Sequence, residues 1–374
     1  MNLDYLPQLV CPGRASEDPR CEGSLYLDED FIEIRQKDET KEGVIRCRKC
    51  NSKYPIICGV LILVPQIQNY LATRLSEIVT VAMTSGDGIS DQMVGWLMHQ
   101  GYDLIDTGYQ SGEWSNEGGM GRYISAHYDN LDIIVAEQLG VDHPIAQFLA
   151  SQVRPTLYDR LESLALQDKS PGMQALDIGA NVGGMVLRLS RQYKFVWGVD
   201  YGFRQVLTAR RILLNYPTSL STYRLYNEGL QYQERSISIN KCSNVEIVVS
   251  AGEQLPFKQV YFDLVNCANV VDLVSNPNSL VAESLRVLKN SCYLLITDPY
   301  YWGTDRTPVD AWYSEKNDSN STIGLKAFLT SRKENDIESI EEQRFVLWPL
   351  RFNKRKIDIW LNDILVVKKR DQTS

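Results

Sequence analysis

A glycine turn between two apolar segments contains the residues of this chain that could bind a nucleoside. Residues 174–178 form an apolar run, glycines follow at Gly179 and Gly183, and a second apolar run over residues 195–199 ends at Asp200. Glycines let such a turn pack tightly and let a ligand approach the backbone. An acid at the end of the second strand can bind both ribose hydroxyls. We therefore expect a nucleoside cofactor at this turn.

Two kinds of nucleoside cofactor fit such a turn. A dinucleotide site needs the spacing G-x-G-x-x-G, whose glycines and helix N-terminus bind a pyrophosphate. In this chain Asn181 stands at the position of the second glycine. Asp177 precedes the turn, and its charge would repel a phosphate but suit an amino acid that carries an ammonium or a sulfonium. The pattern favours the second kind of cofactor.

The spacing D-x-G-x-x-x-G, followed by an acid after the next strand, resembles the first motif of the class I S-adenosylmethionine (SAM) methyltransferases. The resemblance implies a Rossmann-like sheet of seven strands, mostly parallel with an antiparallel last strand. It also implies that SAM is the cofactor. The residues of this segment that would contact SAM are Asp177, Gly179, Asn181, Gly183, Asp200 and Tyr201.

A second loop strengthens this resemblance. Residues 250–257 read SAGEQLPF and are similar to the family's GDAEQLPF loop, which implies SAM contacts by Ala251, Gly252 and Glu253. Ala251 stands where an Asp is usual. In the family that Asp accepts a hydrogen bond from the adenine amino group. Adenine must therefore be held here by the backbone or by another residue.

Two loops further along resemble a narrower group, the methyltransferase domain that N-methylates 4-mercaptohistidine in ovothiol biosynthesis. The loops are residues 269–272 (NVVD) and 297–303 (TDPYYWG), and the resemblance covers about Leu176 to Trp312. Asp298 stands where Ser is usual in that group. The resemblance implies a biosynthetic enzyme that methylates a nitrogen of a small molecule, with Asn269 near the cofactor.

Methyl transfer from SAM is an in-line displacement that mainly requires alignment and exclusion of water. A general base is needed only if the acceptor carries a proton that must leave. We expect Asp272 to orient the acceptor, Tyr300 to form an aromatic wall and His127 to be the candidate base. The alternatives are a loop cap for Asp272 and core packing for Tyr300.

Four cysteines near the N-terminus have a spacing typical of a metal site: Cys11, Cys21, Cys47 and Cys50. Four thiolates would fill a tetrahedral Zn²⁺ site, so the metal would be structural. The alternative is a metal-free ribbon with free thiols. This segment is similar to the small zinc-ribbon activators of methyltransferases. Some rRNA guanine methyltransferases also carry such a ribbon, which keeps an RNA substrate open.

The composition of the chain limits the kinds of molecule that it can bind. The net charge is −8 and the pI is about 5.2, which argues against a nucleic-acid substrate. Eight cysteines are too sparse for a disulfide scaffold and indicate a reducing cytoplasm. The longest apolar run, residues 54–64, is far short of the ~20 residues that span a bilayer, and no secretory signal is evident. We expect a small-molecule acceptor and no membrane partner; the oligomeric state stays open.

The order of apolar and polar segments predicts three parts. Residues 1–68 would be a zinc ribbon with its own core, residues 69–150 a helical, glycine-rich lid and linker, and residues 151–374 the methyltransferase domain. We expect residues 84–128 to close over the cofactor, with Tyr123 against the methionine part of SAM. A single amphipathic helix is expected over residues 142–166.

Three functions remain open from the sequence. A small-molecule N-methyltransferase is favoured by the motifs and the acidic charge. The second is an RNA or protein methyltransferase that uses the ribbon as a substrate arm. The third is a non-catalytic SAM-binding partner subunit.

Overall fold

A sheet of seven strands forms the centre of the fold, in a computed structural model that describes residues 1–13, 20–101, 117–166, 173–214, 220–314, 320–331 and 337–371. Five strands are parallel: β6 (Gln174–Ile178), β7 (Phe195–Asp200), β10 (Val245–Val249), β11 (Phe262–Ala268) and β12 (Leu288–Asp298). Most of their residues are buried. Helices cover both faces of such a sheet, so its strands are nearly continuous apolar runs.

A long antiparallel hairpin completes the sheet. It consists of β13 (Ile337–Asn353) and β14 (Lys356–Lys369), and β14 pairs with β12 in antiparallel register. The strand order is β10-β7-β6-β11-β12-β14-β13. The predicted α/β class and the antiparallel end of the sheet are therefore confirmed.

Ten helices lie in the described part of the chain. Those of the sheet domain are α7 (Gly184–Ser190), α8 (Phe203–Leu213), α9 (Pro277–Val287) and α10 (Ser321–Ser331). The others precede the sheet: α1 (Ile67–Thr84), α2 (Asp91–His99), α3 (Glu117–Tyr128), α4 (Leu131–Leu139), α5 (Pro144–Gln152) and α6 (Leu157–Ala165). The single helix expected over residues 142–166 was wrong, because Pro155 lies between α5 and α6 and a proline cannot continue a helix. None of the described helices is long and apolar enough to cross a bilayer.

The N-terminal part forms a second sheet. Its antiparallel strands are β1 (Leu25–Leu27), β2 (Ile34–Gln36), β3 (Glu39–Cys47), β4 (Lys53–Ile57) and β5 (Val60–Leu61). They follow the order β1-β3-β4-β5, with β2 beside β3. We call residues 1–63 the N-terminal unit. A separate hairpin of β8 (Thr222–Glu228) and β9 (Gln231–Ser236) fills the insertion after α8.

The N-terminal unit docks on the edge of the central sheet. Ile62 forms a parallel bridge with Val249 of β10, and the Leu63 amide donates to the Val249 carbonyl at 2.8 Å. The buried apolar residues of the two sheets form one continuous cluster that includes Tyr54 and Trp197. The separate core that we expected for the ribbon was wrong.

A buried arginine links three elements at this junction. Arg210 of α8 has no exposed side-chain surface, forms an ion pair with Glu246 of β10, and lies 2.9 Å from Glu39 of β3. A guanidinium presents five donors in a planar fork, so it can bind two carboxylates at once. The junction is therefore both apolar and ionic.

The segment after α1 packs against the N-terminal unit. The Lys41 ammonium donates to Asp87 at 2.7 Å, and the Ser90 amide donates to Glu42 at 2.9 Å. The lid expected over residues 84–128 was thus wrong for residues 84–101, which are held on β3. Residues 102–116 lie outside the described residues.

Replacing Arg210 should destabilise the chain far more than replacing a surface arginine. Arg210→Met leaves Glu246 buried without its partner, and breaking a buried pair in this way costs about 3–5 kcal/mol. The control is Arg355→Met, since Arg355 and Glu228 form an exposed pair and such pairs contribute about 0–1 kcal/mol. Denaturant unfolding monitored by circular dichroism gives both free energies. Equal losses in the two variants would contradict a stabilising role for the junction.

Candidate active site

The carboxyl ends of the parallel strands gather acidic side chains at one edge of the sheet. Asp177 lies in β6, Asp200 ends β7, Asp298 ends β12, and Asp272 lies in the loop after β11. Ligands of such sheets bind beyond this edge, where the strand order reverses. The four acids therefore mark the region in which a site must lie.

The turn after β6 has the backbone shape that its glycines predicted. Gly179 has a φ of +74°, and a Cβ there would lie 2.2 Å from a methyl of Val270. Gly183 has a φ of +85°, and its Cβ would lie 2.6 Å from Leu213. Asn181 also adopts a positive φ, +46°. Side chains at positions 179 and 183 would clash, so both glycines are required here.

Asp200 faces this turn. One carboxylate oxygen accepts from the Asn181 amide at 2.9 Å and the other from the Gly202 amide at 2.8 Å. Burial raises the pKa of Asp200, although these amides oppose the shift. Each oxygen can accept a further hydrogen bond. The fixed carboxylate is thus suited to the two hydroxyls of a ribose.

Asp177 is fully buried and accepts from the Asn266 side-chain amide at 2.7 Å. Burial, and then the charge of Asp200, raise the pKa of Asp177 to about 7. A ligand cation beside it would favour the ionised form. The buried carboxylate is thus an acceptor that fits the ammonium of SAM.

Buried acceptor atoms near these acids have no partner among the described residues. They are the side-chain oxygens of Asn181, Ser250, Asn266 and Asn362. Buried polar atoms are rarely left unpaired in native proteins, so each unpaired atom needs an explanation. A polar ligand at the carboxyl edge supplies one, and SAM carries donors in its ammonium, hydroxyl and adenine groups.

The loop over residues 250–257 has less side-chain chemistry than the resemblance implied. Ala251 is buried, and a Cβ at Gly252 would lie 2.7 Å from Leu280. Glu253 accepts from the Ser275 hydroxyl at 2.7 Å and from the Asn276 amide at 3.0 Å, both through one oxygen. That oxygen is therefore occupied by hydrogen bonds to the residues just before α9. Any contact of Glu253 with the cofactor must use its other oxygen.

Two of the residues predicted to contact the cofactor are tyrosines, Tyr201 and Tyr123. Tyr201 is 45% exposed, and its ring contacts Tyr70 edge-on at 4.9 Å. Burial, and then the charge of Asp200, raise the pKa of Tyr123, and Asp272 adds to this shift. The charges of both acids thus act on Tyr123 of α3, and its contact with the cofactor stays a prediction.

His127 does not have the surroundings of a general base. Its Nδ1 accepts from the Gly184 amide at 3.0 Å, and its Nε2 lies 2.9 Å from the Tyr158 hydroxyl. Burial, and then Arg188, lower the pKa of His127 to about 3. Both ring nitrogens are engaged and the ring is neutral. The structure thus corrects the base role suggested for His127, which instead holds α3 against α7.

Asp272 and Asp298 form a buried pair of neighbouring carboxyl groups. Asp298 accepts from the amides of Val271 and Tyr300 at 2.9 and 2.7 Å, and Asp272 accepts from Tyr301 at 2.6 Å. Burial raises the pKa of both acids, to about 6 for Asp272, and the charge of Asp272 adds to the shift of Asp298. Two such close carboxylates cannot both ionise readily. The pair therefore retains a proton more readily than two separate carboxyl groups would.

Tyr300 is fixed by its neighbours. Its φ is +53°, and its ring stacks on Trp302 at 6.2 Å, while Trp302 stacks on Trp312 at 5.9 Å. Packing therefore accounts for one face of the Tyr300 ring. The role of an aromatic wall for Tyr300 stays a prediction.

Asn269 lies beside a residue that the sequence analysis missed. Asn269 has a φ of +57°, and its amide donates to Thr297 at 2.7 Å. Its side-chain oxygen accepts from the fully buried Asn362 of β14. In the sequence, Asn362 and Asp363 interrupt the apolar residues in the middle of β14, and this interruption is the signal that could have indicated Asn362.

The four predicted metal ligands come together in the N-terminal unit. The ligand atoms of Cys11, Cys21, Cys47 and Cys50 all lie within 4.8 Å of one another. The sulfur of Cys11 is 3.6 Å from that of Cys50, and the sulfur of Cys21 is 3.6 Å from that of Cys47. A zinc ion with Zn–S bonds of 2.3 Å needs sulfur separations of about 3.8 Å. The donor set thus fits a tetrahedral zinc ion.

The surroundings of the cluster also fit a metal. The Lys49 amide donates to the Cys47 sulfur at 3.4 Å, which is a typical second contact of a metal-bound thiolate. A Cβ at Gly23 would lie 2.5 Å from the same sulfur. The absence of a side chain at Gly23 therefore leaves room for the thiolate of Cys47.

Comparisons with known proteins agree with this geometry. Residues 176–296 match the family described as "Methyltransferase domain". No curated protein sequence matches the chain.

Solved structures resemble it distantly. YcgJ from Bacillus subtilis shares 16% identity over 57% of this chain and 98% of its own, with a TM-score of 0.39. Phosphoethanolamine N-methyltransferase 2 from Haemonchus contortus shares 13% identity over 69% of this chain and 58% of its own, with a TM-score of 0.40. Magnesium protoporphyrin IX methyltransferase from Synechocystis shares 16% identity over 69% of this chain and 94% of its own, with a TM-score of 0.36.

The family match covers the glycine turn, the loop after β10 and most of the parallel strands. The seven-stranded sheet has the predicted arrangement, with its acids at the carboxyl edge. Residues 176–296 therefore match a methyltransferase domain, as the sequence motifs predicted.

Proposed function

We propose that this protein transfers the methyl group of SAM to a nitrogen of a small molecule, with a structural zinc ion in its N-terminal unit. The observation that carries the proposal is the row of acids along one sheet edge. Asp177 and Asp200 lie at the glycine turn. Asp272 follows β11, the strand beside β6, and Asp298 ends β12, the next strand. The first two acids suit the cofactor and the last two suit the acceptor.

Each residue of the row has a distinct part in the proposed reaction. SAM supplies a methyl group that its sulfonium already activates. Asp200 binds the ribose, Asp177 binds the ammonium, and Tyr123 excludes water from the cofactor. The pair of Asp272 and Asp298 attracts an amine and accepts the proton that leaves its nitrogen. An anionic acceptor such as a carboxylate or phosphate would be repelled by this pair.

The position of the N-terminal unit supports a small acceptor over RNA or protein. The unit docks on β10, whereas the proposed acceptor residues lie after β11 and at the end of β12. Among the described residues, its polar contacts beyond β10 include Gln254, Pro256 and Glu283 of α9 and do not include Asp272. The net charge of −8 also disfavours RNA.

A non-catalytic SAM-binding subunit is the remaining alternative. It would bind SAM but methylate nothing, so turnover decides between the two. The assay is mass spectrometry of a small-molecule cell extract after incubation with the purified protein and SAM labelled in its methyl group. A labelled amine is the expected product. Labelled RNA or protein in an unfractionated extract, without a labelled small molecule, would overturn the proposal.

The cofactor assignment predicts that Asp200→Ala weakens binding of S-adenosylhomocysteine (SAH). Loss of hydrogen bonds to a charged group costs roughly 1.5–3 kcal/mol. The control is Asp263→Ala. Asp263 lies at the start of β11, at the opposite edge of the sheet, and binds Lys289. Isothermal calorimetry of both variants should show the loss only at Asp200. Unchanged affinity in Asp200→Ala, or binding of NAD to the wild type, would refute the assignment.

The metal assignment predicts one zinc ion per chain and a loss of overall stability in Cys47→Ser. The core is continuous, so loosening the N-terminal unit must also expose apolar residues of the central sheet. Cys292→Ser is the matched control, because Cys292 lies on β12 outside the cluster. Elemental analysis and thermal unfolding measure the two effects. Zinc-free protein purified without chelators would count against the site.

The acceptor assignment predicts that Asp272→Asn cuts turnover by roughly ten-fold or more, as loss of positioning can. The raised pKa of about 6 sets the pH dependence. Wild-type turnover should fall as the pH drops through about 6, because protonation removes the charge that receives the acceptor proton. In Asp272→Asn this acid limb should be absent, while SAH affinity stays near that of the wild type. Label incorporation into the extracted product, measured from pH 5 to 8, tests both points. An unchanged acid limb in the variant would assign that limb to another group.

A further inference from the structure

The N-terminal unit contacts the loop that should hold adenine. We call residues 250–257 the cofactor loop. The Val10 amide donates to the Pro256 carbonyl at 2.9 Å, and the Gln254 side chain donates to the Pro12 carbonyl. Both contacts come from residues next to Cys11. The loop is thus held from outside its own domain.

A second connection reaches the loop through α9. Arg20 forms an ion pair with Glu283, whose side chain is 2% exposed. The other carboxylate oxygen of Glu283 accepts from the Leu255 amide at 2.9 Å. Arg20 precedes Cys21 directly. Each of the two metal ligands in this part of the chain therefore has a neighbour that supports the cofactor loop.

The segments around Cys11 and Cys21 are also tied to each other. The Cys11 amide donates to Gly23, and the Glu22 amide donates to Cys11, both at 3.0 Å. A Cβ at Gly13 would lie 2.8 Å from the Cys21 nitrogen and 3.3 Å from the Gln254 side-chain nitrogen. The cysteine cluster and the cofactor loop are therefore in close contact with little free space between them.

We propose that metal binding at the four cysteines and SAM binding at the sheet edge are thermodynamically coupled through the cofactor loop. This inference rests on the proposed function. The metal crosslinks the segments that carry Cys11 and Cys21, since four thiolates that hold one ion cannot separate. Without that crosslink the contacts of Pro12 and Arg20 loosen. Ala251 offers no polar side chain to adenine, so binding depends on how the backbone of the loop is placed.

Coupling of this kind is reciprocal. If the metal raises the affinity for SAH by some factor, SAH must raise the affinity for the metal by the same factor. The inference therefore has two readouts, neither of which needs the methyl acceptor. One is SAH affinity, and the other is retention of zinc against a competing chelator.

The first experiment compares zinc-loaded and chelator-treated full-length protein by calorimetric titration with SAH. Removal of zinc should weaken SAH binding by roughly 5–100-fold, the usual range for coupled sites. In the reciprocal experiment, saturating SAH should raise the concentration of a chromogenic chelator that removes half of the zinc at equilibrium, by the same factor. If metal-free protein binds SAH as tightly as zinc-loaded protein and SAH leaves zinc transfer unchanged, the coupling is refuted.

Two variants keep the inference testable if metal-free protein unfolds. Gln254→Ala removes the side chain that binds Pro12. Arg20→Ala removes one of the two arginines that bind Glu283, the other being Arg286, and Arg20 itself is 41% exposed. Both retain the four cysteines. In zinc-loaded form each should bind SAH more weakly, and SAH should protect their zinc less than it does in the wild type. The controls are Gln231→Ala and Arg355→Ala on the exposed hairpins.

The outcomes separate this inference from the proposed function. If the zinc-loaded wild type does not bind SAH, the cofactor assignment itself is refuted. If it binds SAH and both variants match the wild type in affinity and in zinc protection, only the coupling is refuted. Weaker SAH binding in Gln254→Ala with unchanged protection of zinc would assign Gln254 to direct cofactor contact and overturn the coupling.

Discussion

The open edge of β10 is the constraint on which the arrangement of this protein depends. An edge strand presents unpaired amides and carbonyls that tend to pair with other chains. Here Ile62 and Leu63 cover the end of β10, and Arg210 binds acids from β3 and β10 behind it. The N-terminal unit therefore protects the edge, and its position also brings Pro12 against residues 250–257. Protection of the edge and support of the cofactor loop follow from one docking geometry.

The local patterns of the sequence were sufficient for the parallel strands and for the region of the site. Strand β10 is fully buried and bordered by polar residues, so its bounds are evident from the sequence. Strand β13 extends over Ile337–Asn353, and polar residues at its exposed positions hide much of its strand pattern. The acids were found because parallel strands bring their carboxyl ends together whatever the details of packing.

Contacts that depend on distant register could not be predicted. Asn362 reaches Asn269 only because β14 pairs with β12 in one particular alignment. The role of His127 depends on how α3 meets α7, which brings Gly184 and Tyr158 to its two nitrogens. Likewise, residues 84–101 were assigned to a lid from their glycines, whereas ion pairs and hydrogen bonds to β3 decide where they lie. Composition indicates that a segment is irregular and does not indicate which surface it contacts.

Three loops at the carboxyl edge contain residues other than glycine with positive φ: Asn181, Asn269 and Tyr300. Asparagine tolerates this conformation, but a tyrosine there is unusual. Such backbone strain costs of order 1–3 kcal/mol and persists only where the surroundings enforce it. Selection for heat resistance would therefore favour glycine at position 300, at the expense of the stack with Trp302. At position 300, a substitution that raised the thermal tolerance of the protein would lower the rigidity of the loop after β12.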